Sequence, residues 1–143
     1  MSAAPPQSLA RIKVVGRPGR VAYAAVAVAL LASVVALIVV WDAAWWQTVA
    51  FALGPDLAVL YGIAPGLARG QLHPRAVYLY NSLHRFSGPL VLAIAALAAG
   101  LPLGYVAGAI AWGLHVAFDR AIGLRLRSPD GFQRGETARD RGV

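Results

Sequence analysis

Residues 21–40, VAYAAVAVALLASVVALIVV, form a run of twenty residues without a charged side chain. At 1.5 Å per residue a helix of this length covers about 30 Å, which is the thickness of a bilayer core. The run is followed by WDAAWW at 41–46, and tryptophans are typical of the membrane–water interface. A cleaved signal peptide would have a shorter apolar core, followed by a cleavage site with small residues. The run therefore predicts a retained transmembrane helix.

The composition of the whole chain is also that of a membrane protein. Of its 143 residues 59% are hydrophobic and 13% are charged, and the mean hydropathy is +0.62. In soluble proteins about a quarter of the residues are charged. The chain has no cysteine, which excludes disulfides and thiolate metal sites. The net charge of +7 comes from basic residues that flank the apolar runs, so we expect the lipid bilayer as partner and no nucleic acid.

Three further apolar segments predict helices that cross the membrane. They cover residues 45–63, 76–99 and 103–124. Gly54-Pro55-Asp56 lies in the middle of the first of these, and a kink is expected at Pro89 in the second. The predicted fold class is an all-α integral membrane bundle of four transmembrane helices. The chain then divides into a basic N-terminal arm, 1–20, a transmembrane domain, 21–124, and a polar tail, 125–143.

The distribution of basic residues predicts the orientation of this bundle. The arm, the loop at 64–75 and the tail share one side of the membrane, and they carry the basic residues. The turns at 41–45 and 100–102 on the other side contain neither lysine nor arginine. The positive-inside rule makes the basic side cytoplasmic. We therefore expect a multi-pass protein of the inner (plasma) membrane with both termini in the cytoplasm.

Four residues inside the predicted spans carry side chains that a bilayer does not tolerate alone. They are Asp56, His84, His115 and Asp119. Burying such groups costs several kcal/mol, so they are expected to face the bundle and to have partners. The first three lie at similar distances from the inner ends of their helices, roughly 10–14 Å from the cytoplasmic face. Asp119 follows His115 at the i, i+4 spacing. The sequence predicts a polar cluster that opens toward the cytoplasm.

Three interpretations of this cluster are open. Two histidines and two aspartates on facing helices are a suitable donor set for a divalent metal ion, which could activate water for hydrolysis. A buried hydrogen-bonded network would instead pair His115 with Asp119 and give the other carboxylate Arg85 or Arg120 as partner, with Asn81 completing the network. Such a network fixes helix packing without chemistry. A proton or ion path is the third interpretation.

Five short motifs follow one another along the chain. They are Trp45-Trp46, Pro55-Asp56-Leu57, Tyr80-Asn81-x-x-His84, His115-x-x-x-Asp119-Arg120-x-x-Gly123 and Pro129-x-x-Phe132. Over residues 41–134 their order and spacing resemble a bacterial family of short multi-span membrane proteins, domain of unknown function 4260. The chain departs from the family after Gly123, where a second glycine is missing. It departs again at Gly135-Glu136, where the family has a histidine element that Glu136 would have to replace.

The order Pro-Asp, histidine and His-x-x-x-Asp also resembles, more loosely, inner-membrane metal-dependent hydrolases. That resemblance implies metal ligands at Asp56, His84, His115 and Asp119. Our first hypothesis is therefore a metal-dependent membrane hydrolase, in which Arg85 or Arg120 holds an anionic small-molecule or lipid substrate. The alternative is a non-enzymatic membrane protein whose polar network is structural or supports a partner interaction. The sequence identifies neither the substrate nor the oligomeric state, and a homo-oligomer stays open.

Overall fold

The chain folds as a set of α-helices arranged around one central helix. The computed structural model describes residues 17–135, so most of the predicted N-terminal arm and the end of the predicted tail, with Glu136, lie outside the described residues. The helices are α1 (Arg17–Trp41), α2 (Trp45–Leu53), α3 (Leu57–Tyr61), α4 (Pro74–Leu83), α5 (Ser87–Ala98) and α6 (Leu103–Ile122). Within residues 17–135 the only β pairing is a single bridge between Arg127 and Gln133. The predicted all-α class is confirmed.

Helix α6 is the centre of the bundle, because α1, α2 and α5 all pack against it. Its buried face consists mainly of glycine and alanine. A Cβ at Gly108 would collide with the ring of Phe51, and a Cβ at Gly104 would collide with the side-chain amide of Gln47. Small residues therefore allow α2 to approach α6 closely, as is typical of helix pairs whose packing depends on van der Waals contact.

Helix α1 has the length and composition of a transmembrane span. In the part of the chain that the structure describes, Gly19–Trp41 is the one helix that is both long and apolar enough to cross a membrane. The mean hydropathy over an 18-residue stretch of this helix is 2.8, and 11% of that stretch is buried inside the protein. Valines such as Val28 and Val39 are 68% and 77% exposed. This helix agrees with the first predicted span, whereas the number of crossings and the side of the termini stay predictions.

The second predicted span, 45–63, is not one continuous helix. A 3-10 turn, Gly54–Asp56, separates α2 from α3. Pro55 lies inside this turn and is buried. Proline has no N–H to donate and its ring clashes with the preceding helical turn, so a break here is expected on steric grounds. The break exposes Asp56 at a helix junction instead of inside a regular helix.

The third predicted span, 76–99, is also interrupted, and its kink lies earlier than predicted. Helix α4 ends at Leu83 and α5 begins at Ser87. Proline disturbs the carbonyl four residues before it, so Pro89 acts at Arg85 and moves the break one turn toward the N-terminus. His84 adopts φ −98° and ψ 29° at this break and ends α4. α5 is apolar but short.

Residues 124–135 fold back on the bundle and form a C-terminal cap. Gly123 ends α6 in the left-handed conformation, with φ 101°. The side-chain amide of Asn81 donates to the carbonyl of Arg127 at 2.9 Å and accepts from its N–H at 2.7 Å. The Leu72 N–H donates to the carbonyl of Gly131 at 3.0 Å. The described part of the predicted tail is thus packed against α4 and the loop before it.

Arginine side chains close the C-terminal ends of three helices. Arg20 donates to two carbonyls at the end of α6, at 2.9 and 2.7 Å. Arg75 donates to the carbonyl of Tyr61 at the end of α3. Arg120 donates to the carbonyl of His84 just after α4, at 2.7 Å. The last carbonyls of a helix have no partner within the helix, so these guanidinium groups complete the helix ends.

Candidate functional site

The four polar residues singled out from the sequence lie together at the two helix breaks. Asp56 comes from the 3-10 turn after α2 and His84 from the end of α4, while His115 and Asp119 lie on α6. The Nε2 atoms of the two histidines are 3.3 Å apart. One oxygen of each carboxylate lies 3.6–3.8 Å from both nitrogens. These four residues are named the His/Asp cluster below.

The surroundings of His84 determine which of its ring nitrogens carries the proton. Its Nδ1 lies 2.9 Å from the carbonyl oxygen of Tyr80. A carbonyl only accepts, so Nδ1 carries the hydrogen and Nε2 of the neutral ring is an unprotonated acceptor. The Tyr80 ring stacks on the imidazole with a centroid distance of 3.9 Å, and the His84 side chain is 1% exposed. His84 is thus held with its Nε2 lone pair directed at the other members of the cluster.

Side chains of α6 stabilise the break that presents His84. The indole N–H of Trp112 donates to the carbonyl of Leu83 at 2.7 Å, and Arg120 donates to the carbonyl of His84. Both carbonyls belong to the last turn of α4, where helix donors are missing. Residues three and four apart share a face of a helix, so Trp112 lies on the same face of α6 as His115. One helix therefore both completes the break and supplies half of the cluster.

The cluster is buried on one side and open on the other. The side chains of His84 and Asp119 are 1% and 8% exposed, that of His115 is 15% exposed, and that of Asp56 is 55% exposed. Leu53 on the preceding turn is exposed beside the Asp56 carboxylate, and so are Leu57 and Leu60 after it. The opening therefore lies at Asp56, within an apolar surface, whereas the sequence predicts an opening toward the cytoplasmic end.

The polar residues expected to partner the carboxylates make other contacts. Asn81 binds the C-terminal cap, and Arg120 donates to the carbonyls of Leu124 and His84. Arg85 is exposed. The predicted pairing of Asp56 with either arginine does not form within residues 17–135, where the ion-pair partners of this carboxylate are the two imidazoles.

The separations between the cluster atoms suit a small divalent cation. Asp56, His84 and His115 each offer one ligand atom, and these atoms lie within 4.8 Å of one another. In a tetrahedral zinc site with bonds of about 2.0–2.2 Å, neighbouring ligand atoms are roughly 3.3–3.6 Å apart. The three separations among these atoms, 3.3–3.6 Å, fall in this range, and an oxygen of Asp119 lies 3.6–3.8 Å from the two imidazole nitrogens. Two carboxylates also balance the charge of a divalent ion, which matters in a medium of low dielectric constant.

An apolar cavity of about 270 Å³ adjoins the cluster. It is lined by Ala50, Phe51, Gly54, Pro55, Leu83 and Trp112. Pro55 and Leu83 each directly precede a residue of the cluster, and Trp112 lies one turn before His115. The Trp112 ring is fixed by its hydrogen bond and by close contact with Gly88, where a Cβ would lie 2.6 Å from the ring. Two residues of the cavity wall are thus direct sequence neighbours of the cluster, although none of the four cluster residues lines the cavity.

Sequence reasoning missed two residues that shape this site. Tyr80 fixes the orientation of His84 through its carbonyl and its ring, and Trp112 forms a wall of the cavity. The signal for Tyr80 was its i, i+4 spacing to His84, which places both on one helix face. The signal for Trp112 was its position in the middle of an apolar segment, since membrane tryptophans are enriched at the interface.

Comparison with known proteins identifies a family for most of the chain. The family described as Domain of unknown function (DUF4260) matches residues 24–138. This match contains the segment 41–134 for which the motifs showed a resemblance, and that prediction is confirmed. No curated protein and no solved structure matches the chain significantly. The looser resemblance to metal-dependent hydrolases therefore stays a hypothesis.

Proposed function

The chain belongs to the family DUF4260, and we propose that its His/Asp cluster binds one divalent transition-metal ion and uses it for hydrolysis in the membrane. The observation that carries this proposal is the contact of Nδ1 of His84 with the Tyr80 carbonyl oxygen, which leaves Nε2 of the neutral ring as an acceptor. Its Nε2 lone pair faces Nε2 of His115 and two carboxylate oxygens at 3.3–3.6 Å. An N–H of His115 can donate to only one of these acceptors at a time, whereas a metal ion can bind the lone pairs of all of them.

Two further features favour a cation at this point. Metal-binding histidines usually donate their second ring nitrogen to a carbonyl or carboxylate, as His84 does to Tyr80. Helix α4 ends at His84, so the negative end of its dipole lies at the cluster. Together with two carboxylates, this gives a negative potential that a divalent ion would neutralise.

The side chains of the cluster divide into holding and reacting groups by their exposure. His84 and Asp119 are buried and would hold the ion, with His115 beside them. Asp56 is the ligand at the exposed opening, where its carboxylate would also accept a proton from an attacking water. A bound ion would supply Lewis-acid polarisation of a carbonyl or phosphoryl oxygen and a lowered pKa for water. Water that gives its proton to Asp56 would add to the carbonyl or phosphoryl centre, the bond to the leaving group would break, and Asp56 would return the proton to the leaving group.

In the proposed topology the cluster lies within a bundle that crosses the membrane four times. The pairs α2–α3 and α4–α5 form two interrupted crossings, and both termini lie in the cytoplasm. Exposed aliphatic side chains occur on every one of these helices. Arg20 joins the start of α1 to the end of α6, and the C-terminal cap contacts the loop before α4. These contacts bring the basic segments to one end of the bundle, as the positive-inside rule requires.

A purely structural role for the cluster is the second candidate. It is favoured by the direct contact between the two Nε2 atoms, since one hydrogen between them would join α4 to α6 without a metal. The histidines and aspartates would then serve to fix helix packing.

The metal content of the untagged protein distinguishes the two candidates. The wild type is purified in detergent, washed with a chelator and reloaded with Zn²⁺ or Co²⁺. We expect one ion per chain in the wild type and loss of the ion in His84→Ala and His115→Ala. His73→Ala is the matched control, because His73 caps the start of α4 and contacts Arg75 outside the cluster. Sub-stoichiometric metal in the wild type, unchanged in both cluster variants, would exclude the metal site.

A further inference from the structure

We infer that the cavity beside the His/Asp cluster binds the alkyl chain of a membrane amphiphile, whose polar group then lies at the cluster. The inference rests on the proposed function, because the hydrolysable bond of the substrate would face the metal ion. It specifies the substrate class as a lipid-like molecule that reaches the site from the bilayer.

The lining of the cavity determines the chemistry of its occupant. All the lining side chains are apolar, and the indole N–H of Trp112 already donates to the carbonyl of Leu83. A polar ligand would lose its hydration there without gaining a hydrogen bond, which costs free energy. The volume of about 270 Å³ is close to the lower end of the range for ligand pockets, roughly 300–1,000 Å³. The cavity therefore suits a segment of hydrocarbon chain.

The position of the cavity determines where the polar end of that molecule lies. Pro55 and Leu83 line the cavity, and the residues that follow them, Asp56 and His84, belong to the cluster. An alkyl chain in the cavity would therefore have its polar end within reach of the cluster. This placement predicts an amphiphile with its reactive group next to its alkyl chain.

The surroundings of the site indicate the direction of access. On the side of α4 that precedes the cluster, the C-terminal cap contacts the Tyr80 hydroxyl through the carbonyl of Arg125 and contacts Asn81 through Arg127. This covers the approach from the predicted cytoplasmic end. Ala50 in the cavity wall and Asp56 in the cluster are exposed on the lateral surface instead. A molecule dissolved in the bilayer reaches this surface without crossing the cap.

Binding of two hydroxamates to the Co²⁺-loaded protein in lipid nanodiscs tests the inference. Octanohydroxamate and acetohydroxamate share the chelating group and differ in their chains, and the visible spectrum of Co²⁺ reports binding of either. Gly54→Leu fills the cavity, since a Cβ at Gly54 meets no atom within 4 Å. Val49→Phe adds the same number of carbon atoms at an exposed position of the preceding helix α2, outside the cavity. It is the matched control.

We expect Gly54→Leu to weaken octanohydroxamate binding about tenfold, as overpacking of a filled site commonly does, and to leave acetohydroxamate binding unchanged. Val49→Phe should change neither. Equal effects of Gly54→Leu on both ligands, or no effect on either, would overturn the inference and leave the metal site standing.

A readout without metal keeps the two proposals separate. If the wild type binds no Co²⁺, the proposed function fails. Quenching of Trp112 fluorescence by 8-bromooctanoate then tests, independently of any metal, whether an alkyl chain binds in the cavity. The three other tryptophans are replaced by phenylalanine for this measurement. Quenching that Gly54→Leu removes would support an alkyl chain in the cavity. Quenching that Gly54→Leu leaves unchanged would refute it.

Discussion

Asn81 connects the C-terminal cap to α4, and its replacement by leucine tests whether that cap contributes to stability. Asn81→Leu keeps the approximate volume but removes a donor to the Arg127 carbonyl at 2.9 Å and an acceptor from the Arg127 N–H at 2.7 Å. The Arg127 N–H lies in a half-buried position and loses its partner, whereas the Arg127 carbonyl still accepts from Nε of Arg134 at 3.2 Å. An unpaired buried backbone group costs about 1–3 kcal/mol, so we expect the free energy of unfolding to fall by about 1–3 kcal/mol.

Unfolding of the purified protein in mixed micelles, followed by circular dichroism as the denaturing detergent is increased, measures this change. Ser82→Ala is the matched control, because Ser82 is the next residue of α4 and its side chain is exposed. The expected order of stability is wild type and Ser82→Ala together, with Asn81→Leu clearly below both. An Asn81→Leu protein as stable as the Ser82→Ala protein would show that the cap contributes no stability through this residue.

Three other predictions concern the metal, the cap and the topology. Metal affinity should fall as the pH drops, because an imidazole binds a metal ion only through an unprotonated nitrogen; a Co²⁺ affinity that does not depend on pH would exclude imidazole ligands. Gly131→Ala should destabilise the protein by at least about 1–2 kcal/mol in the same unfolding assay, because Gly131 has φ 91° and a Cβ would collide with the carbonyl of Leu72. Gly54→Ala is the control and should change stability little, since a Cβ at Gly54 meets no atom within 4 Å. Reporter fusions after Arg20 and at Val143 should be active in the cytoplasm and a fusion after Leu101 on the opposite side; an external C-terminus would leave an odd number of crossings.

The members of the His/Asp cluster could be identified from the sequence because polar side chains are conspicuous in apolar segments. Burying a carboxylate such as Asp56 or an imidazole such as His115 at bilayer depth costs free energy, so such a side chain is expected to have polar partners. Helix periodicity and matched depth then indicated a common location. The all-α fold class followed from the same segments, since their length and apolar composition favour helices.

The breaks in the helices and the partners of the basic residues could not be predicted in the same way. Pro55 and Pro89 signalled distortion, but whether a helix kinks or ends depends on side chains from other helices that satisfy the free carbonyls. Trp112 and Arg120 supply those donors at the end of α4, from a position about thirty residues away in sequence. The sequence predicts a carboxylate partner for Arg120, because opposite charges attract. In the fold it donates instead to backbone carbonyls, whose positions only the tertiary structure determines.

The arginines at the helix ends link the orientation of the protein to its folding. For membrane insertion an arginine and a lysine count alike, as one positive charge on the cytoplasmic side. At the end of α6, however, Arg20 uses two nitrogens of its planar guanidinium to reach two successive carbonyls, which a lysine ammonium does not reproduce. Arg20→Lys would therefore keep the insertion signal and still loosen the junction between the first and last helices. In the proposed topology such charges could not be moved freely among the loops, because the side chains that would direct insertion also join the ends of the helices.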